Sequence, residues 1–99
     1  MPVISSRPDG FLKFNLPAKD VTQLHLTLRV DPQGYTFAQS LRLVLSHGGT
    51  QPQVYTTDFS GKGLVRFVIP LPKGVSTVQL ALVDSPLEVS ITSIQADTP

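Results

Sequence analysis

Five side chains in this sequence have the chemistry of a site that holds a small molecule. Tyr35 and Tyr55 carry flat rings on which a sugar ring can stack, and both stand in or beside the two longest irregular stretches. Arg42, Asp58 and Arg66 are near in sequence, and each can form directional hydrogen bonds. Because sugar sites commonly combine an apolar platform with a few such polar groups, these five residues form the candidate carbohydrate site.

The aromatic residues also admit a purely structural interpretation. Phe37 and Phe59 lie in the same two stretches as the tyrosines. In this alternative the two phenylalanines cover the ends of the core, whereas Tyr35 and Tyr55 lie on the surface with their hydroxyl groups in water. The sequence leaves both interpretations open.

Two glycine-containing segments share part of a functional motif. His47-Gly48-Gly49 is similar to the oxyanion loop of esterases, but the sequence contains no G-x-S-x-G nucleophile elbow. Gly61-Lys62-Gly63 lacks both the first glycine of a phosphate-binding P-loop and the hydroxyl residue that follows its lysine. We interpret the first segment as a strand-ending turn and the second as a hairpin tip. No enzymatic activity and no cofactor are predicted.

The spacing of histidines and carboxylates predicts no metal site. His25 and His47 lie on separate segments, and neither H-x-H nor H-E-x-x-H occurs. The acidic residues form no local pair of the kind that acid–base catalysis uses. One alternative stays open, a calcium ion held by loop carbonyls together with Asp31, Asp58 or Asp84, because such ligands leave little trace in a sequence.

The elements that must position these residues are β-strands. Residues 21–30 alternate between an apolar row and the polar row Gln23, His25, Thr27 and Arg29. This alternation is typical of an antiparallel sheet with one core face and one solvated face, although the polar row can also line a concave surface. Turn residues separate about seven strand segments, which cover residues 11–16, 21–30, 39–46, 53–57, 64–71, 76–83 and 87–95. The sequence therefore predicts an all-β fold, an antiparallel β-sandwich of jelly-roll type.

The segment Leu64–Leu71 is apolar on both sides of the extended chain apart from Arg66. It predicts either a central strand covered on both faces or a strand that faces a partner. Of the two ways to cover its outer side, we favour the segment 50–63, which precedes it and is rich in glycine near its end. The other is a neighbouring domain or a second copy of the chain.

The last predicted strand contains a change of side. Val89 and Ile91 share one side of the extended chain, whereas Ile94 falls on the other. One extra residue in the strand would return all three to the same face. This pattern predicts a β-bulge near Thr92 and Ser93.

Composition excludes several classes of protein. A chain of 99 residues with 40% hydrophobic and 15% charged residues is expected to fold as one domain. Its net charge of +1, with Lys and Arg scattered singly, argues against nucleic acid as a partner. The apolar runs are much shorter than the about 20 residues of a membrane-spanning helix, so no membrane insertion is predicted. Cysteine is absent, which leaves the cellular compartment undetermined.

The expected organisation is an N-terminal linker over residues 1–10, one β-sandwich domain over 11–95 and a C-terminal tail over 96–99. In strand count, short turns and lack of a catalytic motif, the chain resembles the galactose-binding-like and carbohydrate-binding accessory modules attached to bacterial glycan enzymes. The resemblance is one of architecture and assigns no residue a role. Two hypotheses follow: a non-catalytic module that binds a glycan, or a structural domain that packs against another domain or another copy through Leu64–Leu71.

Overall fold

The computed structural model of the chain describes residues 2–30, 39–48, 51–59, 63–83 and 88–98. Every regular element in these ranges is a β-strand. The strands are β1 (Val3–Ile4), β2 (Leu12–Asn15), β3 (Gln23–Val30), β4 (Gln39–Ser46), β5 (Gln53–Phe59), β6 (Gly63–Pro70), β7 (Thr77–Leu82) and β8 (Val89–Asp97). Seven of them coincide with the seven predicted segments to within a few residues at each end.

The strands form two four-stranded antiparallel sheets that pack together as a sandwich, which confirms the predicted fold class. Sheet A has the order β1-β8-β3-β6, and sheet B has the order β2-β7-β4-β5. The pairing is nested, because the first strand pairs with the last and each later strand pairs with the corresponding strand counted from the end. Nesting brings the ends of β4 and β6 and the starts of β5 and β7 to one end of the sandwich.

The core lies between the two sheets and is built from alternate residues of each strand. The inward row of β3, from Leu24 to Val30, is at most 1% exposed, as is the inward row Leu41, Leu43 and Leu45 of β4. Phe67 is the one aromatic residue among the buried core residues of the described part of the chain. Aliphatic side chains therefore supply nearly all of the apolar area that this fold removes from water.

Within the segment expected to be a linker, residues 2–5 take part in the sandwich. Val3 and Ile4 pair with β8, and the side chain of Ile4 is completely buried. The carbonyl of Ser5 accepts a hydrogen bond from the Leu82 N–H of sheet B at 3.2 Å. At the other terminus, β8 extends to Asp97, beyond the boundary expected at residue 95. Two residues between polar neighbours are too short a run to be recognised as a strand by alternation.

The prediction of a central strand at residues 64–71 is wrong. β6 stands at the end of sheet A and pairs with β3 alone among the described strands. Its outward residues Leu64 and Val68 are 55% and 52% exposed, so the described residues of segment 50–63 do not cover them. Half of that segment, residues 53–59, forms β5, which pairs with β4 in the other sheet. Alternation reports which faces of a strand are apolar, but it carries no information on the strand's lateral neighbours.

The β-bulge predicted near Thr92 and Ser93 is confirmed. Thr27 of β3 lies opposite Ser93, whereas the next residue, Leu28, lies opposite Ile91. Thr92 is thus the additional residue, and its hydroxyl donates a hydrogen bond of 2.9 Å to the Thr27 carbonyl. The bulge returns the second half of β8 to the correct side, so that Ile94 and Ala96 pack against the core.

Candidate functional site

The four described residues of the predicted carbohydrate site do not lie together. Tyr35 falls outside the described residues. Arg42 and Asp58 lie on the outer face of sheet B, where Asp58 accepts a hydrogen bond of 2.9 Å from the Ser40 hydroxyl. Arg66 lies on the outer face of sheet A, next to Thr27 of β3. Because the whole sandwich separates these two faces, Arg66 and Asp58 cannot contact the same small ligand.

Tyr55 points to the inner side of sheet B, in the row of its cross-strand neighbour Leu43. Its side chain is half-buried and packs against the core. Since β5 is the last strand of sheet B, this inward row opens at the margin of the sandwich instead of being enclosed. The ring of Tyr55 is therefore partly covered and partly accessible, and its neighbours are not the residues predicted to share its site.

The neighbours of Tyr55 form a hollow between the margins of the two sheets, which we call the tyrosine hollow. It has a volume of about 310 Å³, and its walls are Leu45, His47, Gln53, Tyr55, Pro70 and Pro72. Sheet B supplies the ring, the amide and the buried Leu45, while the end of β6 and the chain after it supply the two prolines. The result is an apolar surface with an imidazole and an amide at its rim.

A second hollow adjoins the first and shares His47 and Pro72 with it; we call it the lysine hollow. Its volume is about 500 Å³, and its other walls are Gly48 and the continuous segment 73–77. Lys73 has an ammonium group and Ser76 a hydroxyl group, while the hydroxyl of Thr77 donates to Asn15 Oδ1 at 3.1 Å. Together the two hollows make one groove, named here the end groove, at the end of the sandwich where β4 and β6 finish.

The connection between β6 and β7 forms much of this groove and is fixed by backbone hydrogen bonds. The N–H of Leu71 donates to the Thr22 carbonyl at 2.9 Å, and the N–H of Gly74 donates to the Lys19 carbonyl at 3.0 Å. The Ser76 carbonyl accepts from the N–H of Leu16 at 2.8 Å. The buried side chains of Leu71 and Val75 hold the same connection to the core. A wall held in this way needs little ordering when a ligand binds.

Two glycines with positive φ shape the lysine hollow. Gly48, directly after His47, has φ 48°, and Gly74, directly after Lys73, has φ 89°. Other residues adopt such backbone angles only with strain, whereas glycine lacks the Cβ that causes the strain. The strand-ending turn predicted at His47-Gly48-Gly49 is consistent with the positive φ of Gly48. Gly49 lies outside the described residues.

The polar row of β3 lies on the outer face of sheet A, and its first residue, Gln23, is the cross-strand neighbour of Pro70 in the wall of the tyrosine hollow. His25 Nε2 and Asp97 Oδ2 are 2.5 Å apart, and the Asp97 carbonyl accepts a hydrogen bond from the Thr22 N–H at 2.9 Å. These contacts fasten the end of β8 to the start of β3. Both side chains of the pair are substantially exposed, so we assign it a modest effect on stability.

Comparison with protein-family models, with curated proteins and with solved structures found no match for this chain. Within the described residues, no group of three or more His, Cys, Asp or Glu side chains is arranged to hold a metal ion. Asp31 and Asp84, two of the three carboxylates considered for calcium, lie outside those residues. The same ranges contain no helix of the length and hydropathy needed to cross a membrane.

Sequence reasoning identified one residue of the end groove as a ligand contact, Tyr55, and missed the others. His47 was interpreted as part of a turn, which agrees with the positive φ of Gly48 directly after it. No role in a site was predicted for Pro70 or Pro72. The sequence does not show the nested strand order, which brings the end of β4, the start of β5 and the end of β6 to one place.

Proposed function

We propose that this domain is a non-catalytic binding module that takes a carbohydrate in the end groove. The observation that carries the proposal is the tyrosine hollow, where the half-buried ring of Tyr55 and two prolines adjoin the polar groups of His47 and Gln53. Ligand sites typically combine a largely apolar lining with a few polar groups that fix orientation. Each of the two hollows falls in the size range of such sites.

The nested order of eight strands supports the jelly-roll description of the fold, which is an architecture also used by lectins. That likeness is one of architecture and adds nothing on specificity. The groove itself indicates which ligands fit. The rings of proline and tyrosine offer flat C–H and π surfaces to the faces of a sugar, and the amide and imidazole groups can form hydrogen bonds to its hydroxyls.

Removal of the Tyr55 ring tests the proposal. A panel of neutral and acidic oligosaccharides is titrated into the full chain while backbone amide resonances are followed by NMR. We expect shifts at residues of the end groove, and we expect Tyr55→Ala to weaken binding by about 1–3 kcal/mol because an apolar platform is lost. Tyr55→Phe keeps the ring and should bind within a fewfold of the parent.

The matched control is Val54→Ala, since Val54 is the preceding residue of β5 and lies on the opposite face of sheet B. It should leave binding unchanged. Denaturation of each variant separates loss of binding from loss of folding. No shift at the end groove with any member of the panel at millimolar concentration would reject the carbohydrate proposal.

A second candidate function is assembly through β6. The observation in its favour is that Leu64 and Val68 are both more than half exposed on a strand whose other edge pairs with nothing in the described part of the chain. An edge strand of this kind can accept another strand or another sheet face. We prefer the binding module because Arg66 separates the two apolar residues along the outer row, so they do not form a continuous patch.

A further inference from the structure

We infer that the oligosaccharide taken by the end groove is acidic, with carboxylate or sulfate groups that lie in the lysine hollow. This inference rests on the proposed function and specifies its ligand class. Among the described residues that line the end groove, Lys73 carries a formal positive charge. His47 lines both hollows and adds an imidazole ring where they adjoin. The groove thus joins a stacking surface to a cationic pocket.

The chain around Lys73 is held in a fixed geometry. Pro72 precedes it and Gly74 follows it with φ 89°, and the Gly74 N–H is hydrogen-bonded to the Lys19 carbonyl. The ammonium group therefore extends from an ordered backbone, so binding an anion orders only the side chain itself. Ser76 lines the same hollow and its hydroxyl can donate a hydrogen bond to an anionic oxygen, whereas the Thr77 hydroxyl donates to Asn15 Oδ1 at 3.1 Å.

Neighbouring charges leave the positive character of this hollow in place. The turn behind Gly74 contains Lys19 and Asp20, whose formal charges cancel. The carboxylate of Asp97 lies on the outer face of sheet A, where its Oδ2 is 2.5 Å from His25 Nε2. A sugar acid entering the lysine hollow would thus meet the ammonium group of Lys73 and the hydroxyl of Ser76, while its ring meets Tyr55 and the prolines of the tyrosine hollow.

The test compares acidic oligosaccharides with uncharged counterparts of the same sugars. The probes are hexamers of galacturonate and of mannuronate, each against its methyl ester, and a sulfated galactan hexamer against its desulfated form. Affinities for the full chain come from calorimetry, and the location of binding comes from NMR shifts. We expect at least one acidic probe to bind in the end groove about tenfold more tightly than its uncharged counterpart, and to weaken as ionic strength rises.

The deciding variants change one cation each. Lys73→Glu should remove the preference for the acidic probe, and Lys73→Arg should keep it. Arg29→Glu is the control, because Arg29 is an exposed cation on the outer face of sheet A opposite Leu64, at the other end of β3. Arg29→Glu should leave the affinity for the acidic probe and for its uncharged counterpart nearly unchanged, apart from a small effect of the altered net charge of the chain.

The possible outcomes separate the two levels of the proposal. Equal or tighter binding of the uncharged forms in the end groove overturns the acidic ligand and retains the carbohydrate module. Binding of acidic probes that Lys73→Glu and Arg29→Glu weaken alike shows attraction to overall charge and overturns the assignment to the lysine hollow. Absence of binding in the groove by all six probes rejects both.

Discussion

At the scale of single residues, Gly74 links backbone conformation to the shape of the end groove. Its φ of 89° lies in the region that L side chains rarely adopt, and a Cβ added there would meet no atom within 4 Å. The cost of a side chain at this position is therefore conformational and not steric. The same residue fixes the direction in which Lys73 leaves the turn.

We predict that Gly74→Ala lowers the free energy of unfolding by about 1–2 kcal/mol, because alanine must adopt a left-handed backbone. The measurement is urea denaturation of the variant beside the parent. Gly63→Ala is the control, since Gly63 also has open space around its Cβ position but does not have a positive φ. Its unfolding free energy should stay within about 0.5 kcal/mol of the parent. Equal losses in both variants would contradict the conformational argument.

Residue types alone could suggest Tyr55 as a ligand contact, but they could not select its partners. Arg42, Asp58 and Arg66 are near Tyr55 in sequence, yet Arg42 and Asp58 lie on the outer side of the same sheet and Arg66 lies on the other sheet. Successive residues of a strand point to opposite faces, so closeness along a strand separates side chains as often as it joins them. By contrast, Pro70 at the end of β6 and Pro72 in the connection after it line the same hollow as Tyr55.

At the scale of strands, the alternation of β3 defines its register. Leu26 is 1% exposed and lies in the core, whereas Thr27 points to the outer face beside Arg66. Leu26→Asp should cost more than about 3 kcal/mol, because it creates a cavity and buries a carboxylate that has no partner. Thr27→Asp should change stability by less than about 1 kcal/mol. Thermal denaturation of the two variants tests this, and equal effects on Tm would refute the register.

The bulge in β8 permits a sharper test of register. Removal of Thr92 leaves Ser93 directly after Ile91, so Ile91, Ile94 and Ala96 then fall on one side of a regular strand. We expect this deletion to keep cooperative unfolding and to cost about 1 kcal/mol, the typical worth of the lost Thr92 Oγ1 to Thr27 carbonyl hydrogen bond.

Deletion of Thr27 is the matched comparison for the bulge. The deletion removes a residue from a regular part of β3, so the two halves of the strand can no longer both keep their apolar row in the core. Either the inward residues before Thr27 or the inward residues after it, Leu28 and Val30, turn away from the core. This variant should lose the folded state, as judged by NMR dispersion and denaturant unfolding. If both deletions proved equally damaging, Thr92 would have a structural role beyond that of an inserted residue.

At the scale of the whole molecule, the sequence predicted the class of the fold because sandwich strands carry a strong alternating pattern. β3 and β4 show it best, since one row of each is completely buried and the other row is polar or half-exposed. Lateral order is set by which strands meet across a sheet, and no local pattern records it. The edge position of β6 and the end groove both depend on that order, which is why neither was predicted.

The edge position of β6 leads to a prediction about self-association. Val68 lies beside His25, and Leu64 lies beside Arg29, so polar side chains surround both exposed residues on the outer face of sheet A. A specific interface buries at least about 1,000 Å² in total, and scattered apolar residues do not supply this. We therefore expect the chain to sediment as a monomer from micromolar to millimolar concentration, and Val68→Lys to leave its sedimentation coefficient unchanged.

A dimer that Val68→Lys dissociates would instead establish assembly through β6. Val54→Lys distinguishes a further arrangement, because Val54 faces Val44, and Val44 faces Ala81, so that an apolar row crosses the outer face of sheet B. A dimer disrupted by Val54→Lys alone would locate the interface on that face. In either case, oligosaccharide binding by the end groove would be compared between monomer and dimer. The titration would be repeated at protein concentrations above and below the dissociation constant of the dimer.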